Sequence, residues 1–297
     1  MNSNNKIEIV LPDNSKMEIK QGATVGDVAK TISQGLYNHS IAGEVNGELK
    51  DLSHELSDGD KVKIVKDDAP ESHDILLHST SHVMAQAVQD LFPETQVTIG
   101  PAIDNKFYYD FDKEPAFTED DLEKIEERMK EIIDEDLEFQ RKEITREEAI
   151  QLFKDKDEEY KVEIIKDIEE GQTLSLYQQG DFIDLCRGPH VPSTGKIKAF
   201  KLLNTAGAYW RGDSSNKMLS RIYGTAFPSK KGLKKYLNFL KEAKQRDHRK
   251  IGKELDLFHI DSEVGPGLIL WHPKGARILQ QLKEYWLNAH LDQGYEL

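Results

Sequence analysis

Lys61-Val-Lys-Ile-Val-Lys-Asp-Asp-Ala-Pro-Glu-Ser-His-Asp-Ile-Leu-Leu-His-Ser-Thr-Ser-His-Val-Met-Ala-Gln-Ala-Val-Gln-Asp-Leu91 contains a change of period. Over its first five residues, lysines alternate with Val62 and Ile64, which reads as a half-buried strand. Lys66 to Glu71 is polar and contains proline, as a linker does. From Asp74, Ile75, Leu76, Val83, Met84, Ala87, Val88 and Leu91 recur at helical spacing until Pro93 stops the pattern. Strand alternation on one side and a long helix on the other predict an α+β chain with a module boundary near residue 67.

Upstream of that boundary, Ile7, Ile9 and Leu11 alternate with polar residues, Asp13-Asn14-Ser15 turns the chain, and Met17 and Ile19 resume the alternation. Val25 to Ile32 reads as a short helix opened by Thr24. Ala42–Val45 and Lys61–Val65 supply further strands, with Asp58-Gly59-Asp60 as the turn before the last. A hairpin, a helix and more strands within residues 1–67 suggest a ubiquitin-like β-grasp module. Downstream, Gln96–Ile99 and Phe107–Phe111 read as paired strands. Thr118-Glu-Asp-Asp121 and Thr145-Arg-Glu-Glu148 read as capping boxes that each open a helix. Lys161 to Phe227 reads as short strands and loops, and Lys230 to Lys253 as one basic helix. A final amphipathic helix carries Ile278, Leu282, Tyr285 and Trp286.

The chain has 297 residues, enough for two or three domains. No apolar run approaches the ~20 residues of a membrane span, so a membrane partner is not expected. Cys186 is the only cysteine, which excludes an internal disulfide framework and a Cys-rich zinc module and fits a cytoplasmic location. The net charge is −14, but it is unevenly placed: residues 196–253 carry +13 and the rest −27. A basic block interleaved with Phe200, Tyr209, Trp210, Tyr223, Phe227 and Tyr236 suits unpaired RNA, where phosphates meet cations and bases meet rings. The competing reading is a solvated helix face.

His78-Ser-Thr-Ser-His82 puts two imidazoles on one face of a helix. Cys186-Arg-Gly-Pro-His190 puts a thiol and a third imidazole on a tight loop, with the same four-residue spacing. Such a set could hold zinc that activates water, or use neutral imidazoles as acid and base without metal. Both routes lead to hydrolysis. A hydrogen-bonded core His pair and a buried structural thiol are the plainer alternatives.

These two motifs, together with Gly100–Asp110, Thr205–Asp213, Arg221–Ala226 and Arg246–Lys253, resemble the bacterial threonyl-tRNA synthetase family in that order along the chain. The resemblance implies a TGS domain at 1–67, an editing domain at 68–228, a basic linker helix at 229–258 and the start of a class II catalytic domain at 259–297. Gly265–Trp271 and the helix that follows resemble the entry to the first class II motif. Later ATP-binding motifs and the Cys-His-His zinc site of the family have no counterpart here. ATP, magnesium and zinc, and a homodimer, are therefore expected only of a full-length form.

The resemblance further implies hydrolysis of serine wrongly esterified to tRNA(Thr), at the tRNA acceptor end and without a cofactor. It carries catalytic roles onto His78, His82, Lys161, Asp184, Cys186 and His190, and substrate binding onto Tyr109, Arg187, Tyr209 and Arg211. In this reading His78 contacts the terminal ribose hydroxyl, and Lys161 and His190 hold the attacking water. Asp184 and Tyr109 orient the seryl group, and Cys186 lines the pocket. The runners-up are a free-standing zinc-dependent deacylase of the alanyl-tRNA editing kind, with His78, His82, Cys186 and His190 as ligands, and a non-catalytic tRNA-binding module.

Overall fold

In the computed structural model, which describes residues 6–297 except Ser262 and Pro266, strand gives way to helix where the sequence period changes. β1 (Lys6–Val10) and β2 (Lys16–Lys20) form the antiparallel hairpin, with Asn14 at φ 62° in its turn. Asp13 fixes that turn by accepting from the Ser15 backbone N–H at 3.0 Å and from its hydroxyl at 2.6 Å. α1 (Val25–Ile32) opens on a reciprocal capping box between Thr24 and Asp27. α2 (Gln34–His39) was not expected from the sequence, because six residues are too few to show a period. β3 (Ser40–Val45) is the centre of a three-stranded sheet, flanked by β4 (Glu48–Asp51) and β5 (Val62–Lys66). The apolar faces of hairpin, α1 and sheet meet at Ile9, Val25, Val28 and Val62.

The expected linker at 66–71 is shorter than its composition suggested. Lys66 ends β5 and Pro70 already begins α3 (Pro70–Leu91), since proline's missing N–H and fixed φ suit a helix's first turn. Asp67 in between is held by Lys198 at 3.0 Å. α3 is 22 residues long, and nearly all its side chains from Ile75 to Val88 are buried. Three short strands follow: β6 (Gln96–Val97), β7 (Ala102–Ile103) and β8 (Lys106–Asp112). α4 (Glu119–Asp134) opens on the Thr118–Asp121 box and packs Leu122, Ile125, Met129 and Ile132 inward. β9 (Gln140–Ile144) precedes α5 (Arg146–Asp155), which opens on the Thr145–Glu148 box.

Between 161 and 227 the structure is more regular than the sequence reading held. Lys161 lies in α6 (Glu159–Asp167), a helix whose first turn overlaps the run Glu159–Glu163. β10 (Leu174–Gln179) and β11 (Phe182–Leu185) join β9 in a sheet ordered β11-β10-β9. β12 (Ala199–Tyr209) and β13 (Met218–Phe227) are the longest strands described; they lie in a second sheet ordered β12-β13-β8-β6, with β7 paired to β8.

The chain divides into two compact units, residues 1–233 and 234–297. α7 (Lys230–Gln245) crosses that division. The single basic helix expected over Lys230–Lys253 is in fact two, because Asp247 caps α8 (His248–Glu254) by accepting the Arg249 N–H at 2.8 Å. β14 (Phe258–Ile260) pairs with β15 (Ile269–Trp271), and α9 (Pro273–Leu291) ends the second unit with Ile278, Leu282, Tyr285 and Trp286 exposed. In the sequence Gly265-Pro266-Gly267, Pro266 lies outside the described residues. Among the described residues no helix is long and apolar enough to cross a membrane.

Candidate active site

Buried helices rarely carry two histidines, and α3 does so where it passes under the Cys186–His190 loop. His78 and His82 sit one turn apart with ring centroids 5.0 Å from each other. The loop leaves β11 and brings His190 to 4.5 Å from His78 and 4.3 Å from His82, centroid to centroid. Cys186 Sγ lies 3.3 Å from His78 Nε2 and 3.2 Å from His190 Nε2, and it accepts the Gly188 N–H at 3.3 Å. One ligand-type atom from each of His78, His82, Cys186 and His190 falls within 4.8 Å of all the others. The two spaced pairs singled out in the sequence therefore meet.

The loop can pass this closely only because of Gly188. Its φ is +72°, and a Cβ there would run into the Tyr177 hydroxyl. Ser79 fixes His190 from the helix side: its hydroxyl meets His190 Nδ1 at 3.0 Å and accepts the Val191 N–H at 3.0 Å. Phe139 stacks on the His190 ring at 4.9 Å.

Beside this cluster stands a second one. Tyr109 on β8 donates its hydroxyl hydrogen to Asp184 Oδ2 at 2.6 Å, and Lys161 Nζ donates to the Tyr109 oxygen at 2.9 Å. Lys161 also forms an ion pair with Asp184, their side chains only 3% and 2% exposed. His82 Nε2 lies 3.7 Å from Asp184 Oδ2 and links the two clusters. Asp184 and Cys186 stand two residues apart across the end of β11, which is how one short segment serves both.

Burial decides the charge states. It holds His78 below the usual imidazole range, with Asp184 opposing the shift and Lys161 adding to it. His82 and His190 are held well below that range, by burial first and then by the adjoining imidazoles, with Lys161 adding to the shift at His82. All three imidazoles are thus neutral at pH 7. Burial pushes the Cys186 thiol up to about 12, so it is protonated and a poor nucleophile. Burial and the Asp184 charge raise the Tyr109 hydroxyl well above its ordinary value, keeping it a donor.

A cavity of about 620 Å³ opens onto these groups, lined by His78, His82, Tyr109, Lys161, Asp184, Cys186 and Arg187 among others. Seven of the ten residues carried as site candidates therefore share one chamber. His190 does not line it; it is buried behind Cys186. Tyr209 and Arg211 are elsewhere, at the far end of β12. Arg211 pairs with Glu163 at 2.8 Å and with Asp167, and it packs over Trp210. Its basic charge is spent on α6. Arg187 reaches Gln172 Oε1 at 3.2 Å at the cavity rim.

Ser79, Tyr177, Phe139 and Asp51 support the site but were not picked out in the sequence. Ser79 alone had a signal, lying inside the His78–His82 motif. The basic block also reads differently in three dimensions. Lys198, Lys201, Lys217 and Arg221 each meet a carboxylate of the same unit, at Asp67, Glu126, Asp112 and Asp110. Lys230, Lys231, Lys234, Lys235, Lys241 and Lys244 on α7 are in no ion pair among the described residues.

A family model for the TGS domain matches residues 7–66, and one for the threonyl and alanyl tRNA synthetase second additional domain matches residues 174–223. A threonine–tRNA ligase of Pelobacter propionicus is 53% identical over 291 residues, 98% of this chain and 46% of that protein. One of Alkalilimnicola ehrlichii is 54% identical over 288 residues, 97% of this chain and 45% of that protein. One of Geobacillus kaustophilus is 52% identical over 290 residues, 98% of this chain and 44% of that protein. The chain thus spans about half the length of the curated relatives it matches.

Proposed function

Because the chain belongs to the threonine–tRNA ligase family over the stretch it spans, we propose that its cavity hydrolyses serine wrongly esterified to tRNA(Thr). The observation that carries this reading is a chamber of about 620 Å³ walled by neutral imidazoles, a thiol and a Lys161–Asp184–Tyr109 triad. That volume is in the range of small-ligand sites, and Leu49, Ile75, Ile99 and Ile164 supply apolar wall beside the polar groups. A ligase of this family needs such a site because serine and threonine differ by one methyl. A methyl is worth about 1–3 kcal/mol in a binding pocket, too little for fidelity. A second chamber that excludes threonine's methyl multiplies the selection.

In the reaction a water oxygen bonds to the ester carbonyl carbon, the bond to the ribose oxygen breaks, and that oxygen takes up the proton the water gives up. Lys161 Nζ, a cation at the cavity wall, holds the water and stabilises the negative charge that grows on the carbonyl oxygen. Neutral His78 contacts the ribose hydroxyl beside the ester. Asp184 and Tyr109 orient the seryl amine and hydroxyl, and His82 braces Asp184. His190 acts from behind Cys186 as a positioning residue instead of a water ligand, and Cys186 shapes the pocket as a neutral thiol. Tyr209 and Arg211 have no place in this chemistry.

The tRNA acceptor end is the partner this reading requires. Threonine ligation with ATP, magnesium and zinc, a dimer and a cytoplasmic location are proposed for the longer form that the relatives represent. The test is deacylation of Ser-tRNA(Thr) by the chain and by His78→Ala and Lys161→Ala. Unmodified rates in both variants would refute the assignment.

One observation favours a second reading, a zinc-dependent deacylase: four ligand-type atoms lie within 4.8 Å of one another. Zinc held by these four residues would need Cys186 as a thiolate and the three imidazoles neutral, and would supply an activated water. Deacylation that falls on chelation and returns with added zinc would establish this second reading in place of the first.

A further inference from the structure

The loop that carries Cys186 and His190 is tied to the N-terminal module as firmly as to its own. Asp51, the last residue of β4, offers one carboxylate oxygen to the loop and the other to Tyr177 on β10 beside it. Oδ1 accepts the His190 backbone N–H at 2.9 Å, and Oδ2 accepts the Tyr177 hydroxyl at 2.6 Å. Tyr177 transmits that hold to the middle of the loop. Its oxygen packs where a Cβ on Gly188 would stand, and its ring lies 4.4 Å from the His190 ring. Gly188 in turn donates its N–H to Cys186 Sγ, and Sγ touches His78 Nε2 at 3.3 Å.

We propose that Asp51 is a positioning residue for the cavity: one carboxylate of the N-terminal module sets the Cys186–His190 loop against His78. The proposal rests on the deacylase reading for its kinetic consequence, but not for its geometric one. Asp51 does not line the cavity, so it acts through the loop. A carboxylate suits the position because two donors converge on it from different directions, and it accepts at both oxygens with charge assistance. An amide has one acceptor oxygen, so Asn can hold the His190 N–H but can meet the Tyr177 hydroxyl only as a donor, which reverses that bond and removes its charge assistance.

Two other polar contacts between the modules do not reach the loop. Asp67 pairs with Lys198 at 3.0 Å, and Lys196 donates to the Asn38 carbonyl at 2.7 Å. They serve as controls, separating loop positioning from docking of the modules in general.

The experiment uses Asp51→Ala, Asp51→Asn and Asp67→Asn in the same chain. Cys186 is the only cysteine, so alkylation by iodoacetamide reports on the loop alone. Asp51→Ala is expected to label about tenfold faster than the unmodified chain, as a loosened loop exposes its thiol. Asp51→Asn should fall between the two, and Asp67→Asn should label at the unmodified rate. In Ser-tRNA(Thr) deacylation, Asp51→Ala should lower kcat about tenfold and leave KM within about twofold, the pattern of a misplaced wall and an intact binding surface. Unchanged labelling in Asp51→Ala overturns the proposal, as does equal labelling gain in Asp67→Asn. So does a kcat loss that merely tracks the unfolded fraction seen by circular dichroism. If the unmodified chain fails to deacylate Ser-tRNA(Thr), the deacylase reading falls alone, because the labelling result stands without it.

Discussion

Two cation–carboxylate pairs lie inside the first unit, and they are built for different ends. Arg221 grips Asp110 with two bonds, 2.6 and 2.8 Å, and its guanidinium lies 3.8 Å above the Tyr108 ring. That guanidinium is bonded on one edge and stacked on one face, with only a minor part left to solvent. Lys161 and Asp184 are more deeply buried, yet both open onto the cavity of about 620 Å³. Lysine's ammonium has three donors, and the two protein partners found for it leave capacity for a third. A pair that is closed on itself holds β8 to β13, whereas a pair with a free donor and a solvent-sized chamber beside it can act on something that enters.

Substitution at the two sites should therefore produce opposite patterns. The largest expected effect is on turnover: Lys161→Ala should lower Ser-tRNA(Thr) deacylation by about 10²–10³-fold, the usual loss when a charge aimed at a developing oxyanion is removed. Its stability should fall by only about 1–2 kcal/mol, because water from the cavity can reach Asp184 once the ammonium is gone. Arg221→Ala should do the reverse. It leaves Asp110, 4% exposed, without its partner, and urea unfolding should show a loss of about 3 kcal/mol. Deacylation by the fraction still folded should stay near the unmodified rate. Equal stability losses at the two sites, or a large drop in turnover in Arg221→Ala, would erase the distinction.

A third buried group sharpens the comparison. Glu158 precedes α6 by one residue; it accepts the Val97 N–H at 3.0 Å and a bond from Gln89, and burial raises its carboxyl to about 7. The folded state thus holds a proton between about pH 4.5 and 7 that the unfolded chain has released. That contribution to stability is fully present below about 4.5 and is lost as pH rises through 7. Glu158→Gln should flatten the loss, leaving the variant about 1–2 kcal/mol more stable than the unmodified chain at pH 8 and no more stable at pH 5. The Gln89 amide can turn to match the new donor. Thermal unfolding at the two pH values measures this, and parallel pH profiles for both proteins would show that Glu158 does not carry the proton.

How much of this was legible in the sequence follows from the range of each signal. The strand-to-helix change at 61–91 and the capping boxes at Thr118 and Thr145 are local, and all three appear as expected. The His78–His82 and Cys186–His190 spacings are also local, so each pair was visible; only the fold could show that they meet. Arg211 illustrates the opposite case. The resemblance carried substrate binding onto it, but a helix distant in sequence supplies Glu163 and Asp167 to neutralise it. Asp51 could not be found at all, since its importance is a contact with residues 126 and 139 positions away. The break at Asp247 was missed because helix propensity around it is high and a single capping side chain decides the outcome.

The basic block gives the smallest expected effect and the last contrast. Lys198, Lys201, Lys217 and Arg221, on or beside β12 and β13, are neutralised by carboxylates of their own unit, so the +13 of residues 196–253 overstates the charge on offer to a polyanion. On α7, Lys230, Lys234 and Lys241 fall on one side of the helix at 100° per residue, exposed and without an acidic partner among the described residues. Free lysines gain by releasing counterions from phosphates; paired ones must first give up a carboxylate. Lys234→Ala with Lys241→Ala should therefore weaken binding of tRNA only about three- to tenfold at moderate salt. It should also lower the slope of log K against log salt by about 1–2. Lys201→Ala, removed from its Glu126 partner, should leave that slope unchanged and cost instead a few tenths of a kcal/mol in stability. A slope that shifts equally in both variants would mean that ion pairing within the unit does not shield these lysines from RNA.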